Sequence, residues 1–232
     1  MLQTSQPTPP HYVAAPTPPM SKPGSPSATL STLSSTTNMT VPTRRHILIV
    51  TGPAGCGKST VAKNFADRYG FEYIEGDDFH PPANIEKMAA NVPLDDADRW
   101  DWLILLRDQA LKSLQQGANG VVVTCSALKK KYRDVIRTAK LYDEDPNAAV
   151  HFIYLRASKE TLLARVAARQ NHYMKDAMVV SQLAALEEPD ADEIQRLKDV
   201  RIIDVKGTQT EMQKVANAVV DDIFGQDSET TT

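Results

Sequence analysis

At 232 residues with a formal charge of -3, the chain can fold one α/β domain around a sizeable core, and its charge gives no reason to expect nucleic acid or an anionic membrane as a partner. No apolar run approaches the roughly eighteen residues that cross a bilayer, which excludes a membrane-spanning helix from the reading. Cys56 and Cys125 are the only cysteines, in neither a metal-binding nor a paired spacing; they read as free thiols of a reducing compartment, so a cytoplasmic location is expected.

Residues 1–43 hold nine of the fifteen prolines, many Ser and Thr, and no Asp or Glu. Such a stretch cannot bury enough apolar surface to offset its conformational entropy, and it reads as a disordered tail. A transit peptide is the sharper alternative for a Ser-rich, acid-free segment. Against it, Lys22 is the only Lys or Arg before Arg44 and Arg45, and no amphipathic helix is evident. The folded unit is expected over residues 44–225, with a short Thr- and Ser-rich tail from 226.

From residue 46, short apolar runs alternate with helical periodicity. "HILIVTG" (46–52) is a β-branched run closed by Gly, the pattern of a strand buried on both faces. "STVAKNFADRYG" spaces Val61, Phe65 and Tyr69 four apart and ends at Gly70, which predicts a helix. "FEYIEG" is a second strand. Leu103, Leu106, Ala110 and Leu114 form one stripe of a long helix that stops at Gly117. Further strands are expected over 120–128, 149–157 and 200–205, and a last helix presents Met212, Val215, Val219 and Ile223 on one face. Five strands separated by helices imply βαβ crossovers: a parallel five-stranded sheet with helices on both faces, whose ligands collect at the C-terminal strand ends.

Directly after the first strand stands "GPAGCGKST", Gly52, Pro53, Ala54, Gly55, Cys56, Gly57, Lys58, Ser59 and Thr60. It contains G-x-x-x-x-G-K-S, the phosphate loop of a P-loop NTPase-type fold. The glycines let backbone N–H groups turn inward around the phosphates of ATP, the following helix offers its positive end, Lys58 adds a cation and Ser59 can ligate Mg²⁺. Cys56 reads as a small residue that fits the loop, with a thiol activated by the helix terminus as the alternative.

The second strand ends in "YIEGDDFHPPANIEKM" (73–88). Transfer of a phosphoryl group requires a held metal and an oriented acceptor hydroxyl. In an extended chain Glu75 and Asp77, two apart, point the same way and suit these two tasks, whereas Asp78 points away as a turn or cap residue. The third strand ends in Cys and Ser, where many P-loop proteins carry a metal-directing Asp, which shifts both duties onto Glu75 and Asp77.

These motifs, together with "PLDDADR", "CSALKKKYRD", "RVAARQNHYM" and "SQLAALEEP" in order over residues 46–225, resemble those of gluconokinases, a group of P-loop small-molecule kinases. Glu75 departs from the family's pattern, where an Asp is expected. The resemblance implies ATP- and Mg²⁺-dependent phosphorylation of D-gluconate to 6-phospho-D-gluconate, a helical lid carrying Arg165 and Arg169, and pairing as homodimers. It implies Asp77 as the base or hydroxyl-orienting group, His80 as a substrate contact, and Arg99, Lys129 and Arg133 as candidates to meet the substrate carboxylate. Trp100 and Trp102 read as packing residues. A kinase for another small hydroxylated metabolite, such as shikimate, shares the loop and fold; a nucleotide-binding regulator without turnover is the reading from a different class.

Overall fold

The computed structural model describes residues 44–90, 92–139, 145, 147–168 and 175–229; the tail at 1–43, Arg169 and the lid residues Asn171 and His172 lie outside them. Strands β1 (Arg45–Thr51), β2 (Glu72–Glu75), β3 (Gly120–Thr124), β4 (Ala148–Arg156) and β5 (Val200–Asp204) form one sheet in the order β2-β3-β1-β4-β5. Every neighbouring pair is parallel, which requires a crossover between consecutive strands. The helices are α1 (Lys58–Tyr69), α2 (Pro82–Ala89), α3 (Asp96–Gln115), α4 (Lys130–Arg137), α5 (Lys159–Ala167), α6 (Lys175–Ala185) and α7 (Gln209–Glu229). Among the described residues, no helix is long and apolar enough to cross a membrane.

The period-two alternation of each strand divides the interior into two cores. Leu48 and Val50 join Val61 and Phe65 of α1, Leu162 and Val166 of α5, and Met212, Ala216 and Val220 of α7 on one face. Ile47 and Ile49 join Trp102, Leu103 and Leu106 of α3 and Tyr132 and Ile136 of α4 on the other. Burial of each such side chain is worth about 1.5–3 kcal/mol, so neither layer of helices is dispensable. In α7 the buried stripe runs Met212, Ala216, Val220 and Ile223; Val215, expected on the buried face, is 52% exposed, about a quarter turn away from it.

Local chemistry fixes where the elements stop. At the start of α3, the Asp95 carboxylate accepts from Asp98 N–H at 3.0 Å, and the Asp98 carboxylate accepts from Asp95 N–H at 2.9 Å. This reciprocal cap satisfies two helix-end donors and starts the helix at Asp96. Strand β2 ends at Glu75 because a Cβ on Gly76 would lie 2.0 Å from the Thr124 carbonyl oxygen. Only glycine lets the chain pass this close to β3. The Gly76 N–H donates to Thr124 Oγ1 at 3.0 Å and its carbonyl accepts from Trp102 Nε1 at 2.8 Å. Residues Gly76–Phe79 then form a 3-10 turn. The alternation expected to align Glu75 with Asp77 therefore breaks at Gly76. Strand β3 stops at Thr124 instead of continuing to 128, and residues 125–128 form the connection into α4.

Candidate active site

The C-terminal ends of β1, β2 and β3 bring three segments together. After β1, Gly57 takes φ 103°, a left-handed conformation that favours glycine and lets α1 begin at Lys58. A Cβ on Gly52 would meet the Leu155 carbonyl oxygen at 2.8 Å, so the loop lies directly against β4. Lys58 Nζ donates to the carbonyls of Gly52 and Pro53 at 3.0 and 3.2 Å, which holds the ammonium over the loop. Arg165 of α5 reaches the same loop, its Nη1 donating to the Cys56 carbonyl at 3.3 Å. The Ala54 N–H donates to Gln182 Oε1 of α6 at 2.7 Å. Cys56 itself is fully buried; burial pushes its thiol above the ordinary value despite the nearby Lys58 charge, so it is a packing residue and not an activated nucleophile.

Beside the loop, the Glu75 carboxylate accepts hydrogen bonds from the hydroxyls of Tyr73 and Thr124. Burial alone would raise its pKa, but the Thr124, Tyr73 and Ser59 hydroxyls and the Lys58 charge outweigh it and hold Glu75 below the ordinary carboxylate value. Glu75 is thus an anion next to the Ser59 hydroxyl. Among the described residues no cluster of three or more His, Cys, Asp or Glu side chains could hold a metal. Two oxygen donors, one of them ionised, suit a hard cation that takes its remaining ligands from water and phosphate.

Within the turn, the Asp77 carboxylate is 83% exposed, and its Oδ1 lies 3.9 Å from Nε2 of the buried His80. His80 stacks on Trp102 with ring centroids 4.2 Å apart, and Asn84 Nδ2 stands 3.4 Å from its Nδ1. Burial lowers the His80 pKa, Asp77 opposes this and Arg99 reinforces it, so the imidazole is neutral at neutral pH. Across the site, Arg99 of α3 lies 5.7 Å above the Tyr132 ring, with Nη1 3.5 Å from Ser126 Oγ. Lys129 pairs with Asp96 at 2.8 Å, and that carboxylate also receives Lys131 and the Tyr132 hydroxyl. Cys125, pushed up to about 12 chiefly by burial, feels the charges of Lys58, Arg99 and Asp77 together. Thr124, which bonds Glu75, and Ser126, which Arg99 approaches, flank Cys125 at the tip of β3.

A family model described as "AAA domain" matches residues 47–189. A probable gluconokinase of Schizosaccharomyces pombe is 49% identical over 171 residues, 73% of this chain and 85% of the relative. The chain belongs to the gluconokinase family. The thermoresistant gluconokinase of Escherichia coli K12 is 40% identical over 160 residues, 69% of this chain and 85% of the relative. The crystal structure of a gluconokinase from Sinorhizobium meliloti 1021 has a TM-score of 0.68 and 32% identity, with 82% of this chain and 100% of that chain covered.

Of the residues singled out from sequence on this gluconokinase scaffold, Lys58, Ser59, Glu75, Asp77, His80, Arg99 and Arg165 gather around the loop and the ends of β2 and β3. Arg169 lies outside the described residues. Arg133 is a correction. It is not a free cation for a substrate carboxylate. Only 2% of its side chain is exposed, and Glu193, fully buried, takes Nε and Nη2 at 2.7 and 2.6 Å. Its Nη1 donates to the carbonyls of Ala127 and Glu187 at 3.2 and 3.1 Å, tying the β3–α4 connection to the segment after α6. Trp102 packs as expected and supplies the platform beneath His80. The motif "SQLAALEEP" assigns Gln182 no task from the sequence alone, and no sequence motif marks Tyr73 or Thr124. The unexplained motif was the one signal pointing to Gln182.

Proposed function

We propose that the protein transfers the γ-phosphoryl group of ATP to the primary hydroxyl of D-gluconate, giving 6-phospho-D-gluconate and ADP. The observation that carries this reading is the placement, at the ends of adjacent strands, of the phosphate loop after β1, the exposed Asp77 carboxylate after β2 and Arg99 against Ser126 after β3. Arg99 has no carboxylate partner among the described residues. Phosphoryl transfer depends mainly on positioning and charge stabilisation, and these groups supply both.

The loop amides and Lys58 hold the nucleotide phosphates. Ser59 and Glu75 would hold Mg²⁺, whose charge offsets that of the phosphate oxygens. Asp77 accepts a hydrogen bond from the gluconate 6-hydroxyl and aims its oxygen at the γ-phosphorus. As that oxygen bonds to phosphorus, the bond to the β,γ-bridging oxygen breaks, ADP leaves and the hydroxyl proton passes through Asp77 to water. Arg99 meets the carboxylate at the far end of the sugar acid through parallel hydrogen bonds. Lys129 is already committed to Asp96 and serves the wall of the site instead. Arg165 adds positive charge beside the loop as negative charge shifts toward the bridging oxygen.

The test is a coupled ADP-release assay with D-gluconate, shikimate and nucleoside monophosphates as acceptors. The expected result is formation of 6-phospho-D-gluconate, with kcat/KM for gluconate at least about 100-fold above the other acceptors, since their acceptor hydroxyl and anion are spaced differently and a misplacement of about 1 Å at the reacting oxygen costs on the order of 100-fold. Faster turnover of shikimate or of a nucleotide would replace gluconate as the substrate.

A further inference from the structure

Gln182 grips the phosphate loop from a helix far away in the sequence. Its Oε1 accepts from the Ala54 N–H at 2.7 Å, across a separation of 128 residues. Elsewhere the loop is closed by its own atoms: Cys56 N–H donates to the Pro53 carbonyl at 3.3 Å, and Lys58 reaches back to Gly52 and Pro53. From the other side α5 presses on it, since a Cβ on Gly55 would lie 2.9 Å from Val166 Cγ2. Val179 and Leu183 of α6 pack into the same apolar cluster as Leu162 and Val166 of α5. The loop therefore lies against two helices. Arg165 of α5 holds a carbonyl and Gln182 of α6 holds an amide.

The consequence is conformational. A loop that binds phosphate through backbone N–H groups works best when those groups already point inward, because ordering them at the moment of binding costs affinity. The Ala54 N–H is fixed by a side chain from outside the loop. A glutamine suits this role: its carbonyl oxygen accepts while its length spans the gap between helix and loop, and it is neutral, so it adds no repulsion toward phosphate. We propose that Gln182 is a positioning residue for nucleotide binding, which holds the mouth of the phosphate loop in its phosphate-accepting shape by accepting the Ala54 N–H. The proposal rests only on the loop receiving nucleotide phosphates and is independent of the identity of the acceptor.

Gln182→Met keeps the length and neutrality of the side chain and removes the acceptor. Two measurements on the full chain follow. The dissociation constant for a fluorescent ADP analogue rises about 3- to 10-fold, the span of one neutral hydrogen bond, while the KM for gluconate stays within about twofold. Hydrogen exchange of the peptide covering residues 52–56, whose Pro53 has no amide, accelerates without nucleotide as the Ala54 N–H loses its partner. Gln182→Ala gives the same pair of changes and serves if the methionine variant folds poorly. Unchanged nucleotide affinity in either folded variant overturns the proposal, as does unchanged exchange of that peptide. Failure of the unmutated protein to bind the analogue removes the phosphate-loop reading itself, a separate outcome read from the control arm.

Discussion

Arg133→Met opens a buried ion pair and distinguishes a structural arginine from a substrate ligand. The carboxylate of Glu193 is fully buried and receives Arg133 at 2.6 Å and Arg137 at 2.8 Å. Burial alone would raise the Glu193 pKa, but the two guanidiniums hold it below the ordinary value, so removing one leaves a desolvated anion with half its support. Breaking such a pair from one side costs about 3–5 kcal/mol, and the retained Arg137 contact sets the value near the lower end, about 3 kcal/mol. For a domain of this size that lowers Tm by roughly 6–12 °C. Arg133→Met/Glu193→Met replaces both charges with apolar groups of similar volume, and should recover part or all of the loss because the unpaired charge is gone. Urea and thermal unfolding of the single and double variants give the stabilities, and gluconate KM at 25 °C gives the function. We expect an unstable single variant with gluconate KM within about twofold of the unmutated enzyme. A single variant that melts normally but loses gluconate affinity would refute the reasoning and return Arg133 to the substrate.

Lys58→Ala should abolish measurable phosphoryl transfer while the melting transition is kept, since the ammonium contacts loop carbonyls and no part of the core; a variant with more than a few per cent of normal turnover would contradict its role. Tyr73→Phe removes one of the hydroxyl donors to Glu75 and should raise the Mg²⁺ concentration for half-maximal rate about tenfold, with metal-free ADP binding unchanged, as titration with Mg²⁺ will show. His151 gives a pH prediction. Both its ring nitrogens are buried without a hydrogen-bond partner among the described residues, and burial, with His46, Arg201 and Arg44 adding to it, lowers its pKa from 6.5 to about 3. A base depressed in the folded state contributes stability above its unfolded pKa and loses it as pH falls from 6.5 toward 3. The share lost at pH 5.5 is about 1.4 kcal/mol. His151→Phe should flatten the difference in urea midpoint between pH 7.5 and 5.5, and an unchanged difference would assign the acid sensitivity elsewhere.

The parts of the molecule legible in the sequence are those set by neighbours along the chain. The run Ile47 to Val50 alternates between two cores and could only be a doubly covered strand, and "GPAGCGKS" encodes its turn in its own glycines. Asp77 was found for a reason that the structure replaces: extended-chain alternation ends at Gly76, because β3 passes too close for any Cβ there, and a 3-10 turn carries Asp77 to the site edge. Arg133 was misread because its charge partner is Glu193, 60 residues away, and no local pattern reveals a buried ion pair. Val215 fell on the expected stripe by spacing, but α7 rotates to bury Ala216 and Val220 instead. Gln182 lay in a quoted motif whose task depends on a contact across the fold. Side chains that act through such contacts leave residue types in the sequence and no partners.

Turnover of Asp77→Asn, measured alongside its ADP affinity, tests most directly whether the carboxylate just past β2 serves phosphoryl transfer. We expect ADP binding within about twofold of the unmutated protein and a loss of kcat on the order of 10²–10⁴, the range for removal of a positioned proton acceptor. Near-normal turnover with gluconate, at unchanged ADP affinity, would contradict the assignment of Asp77 and of the meeting point between loop and acceptor.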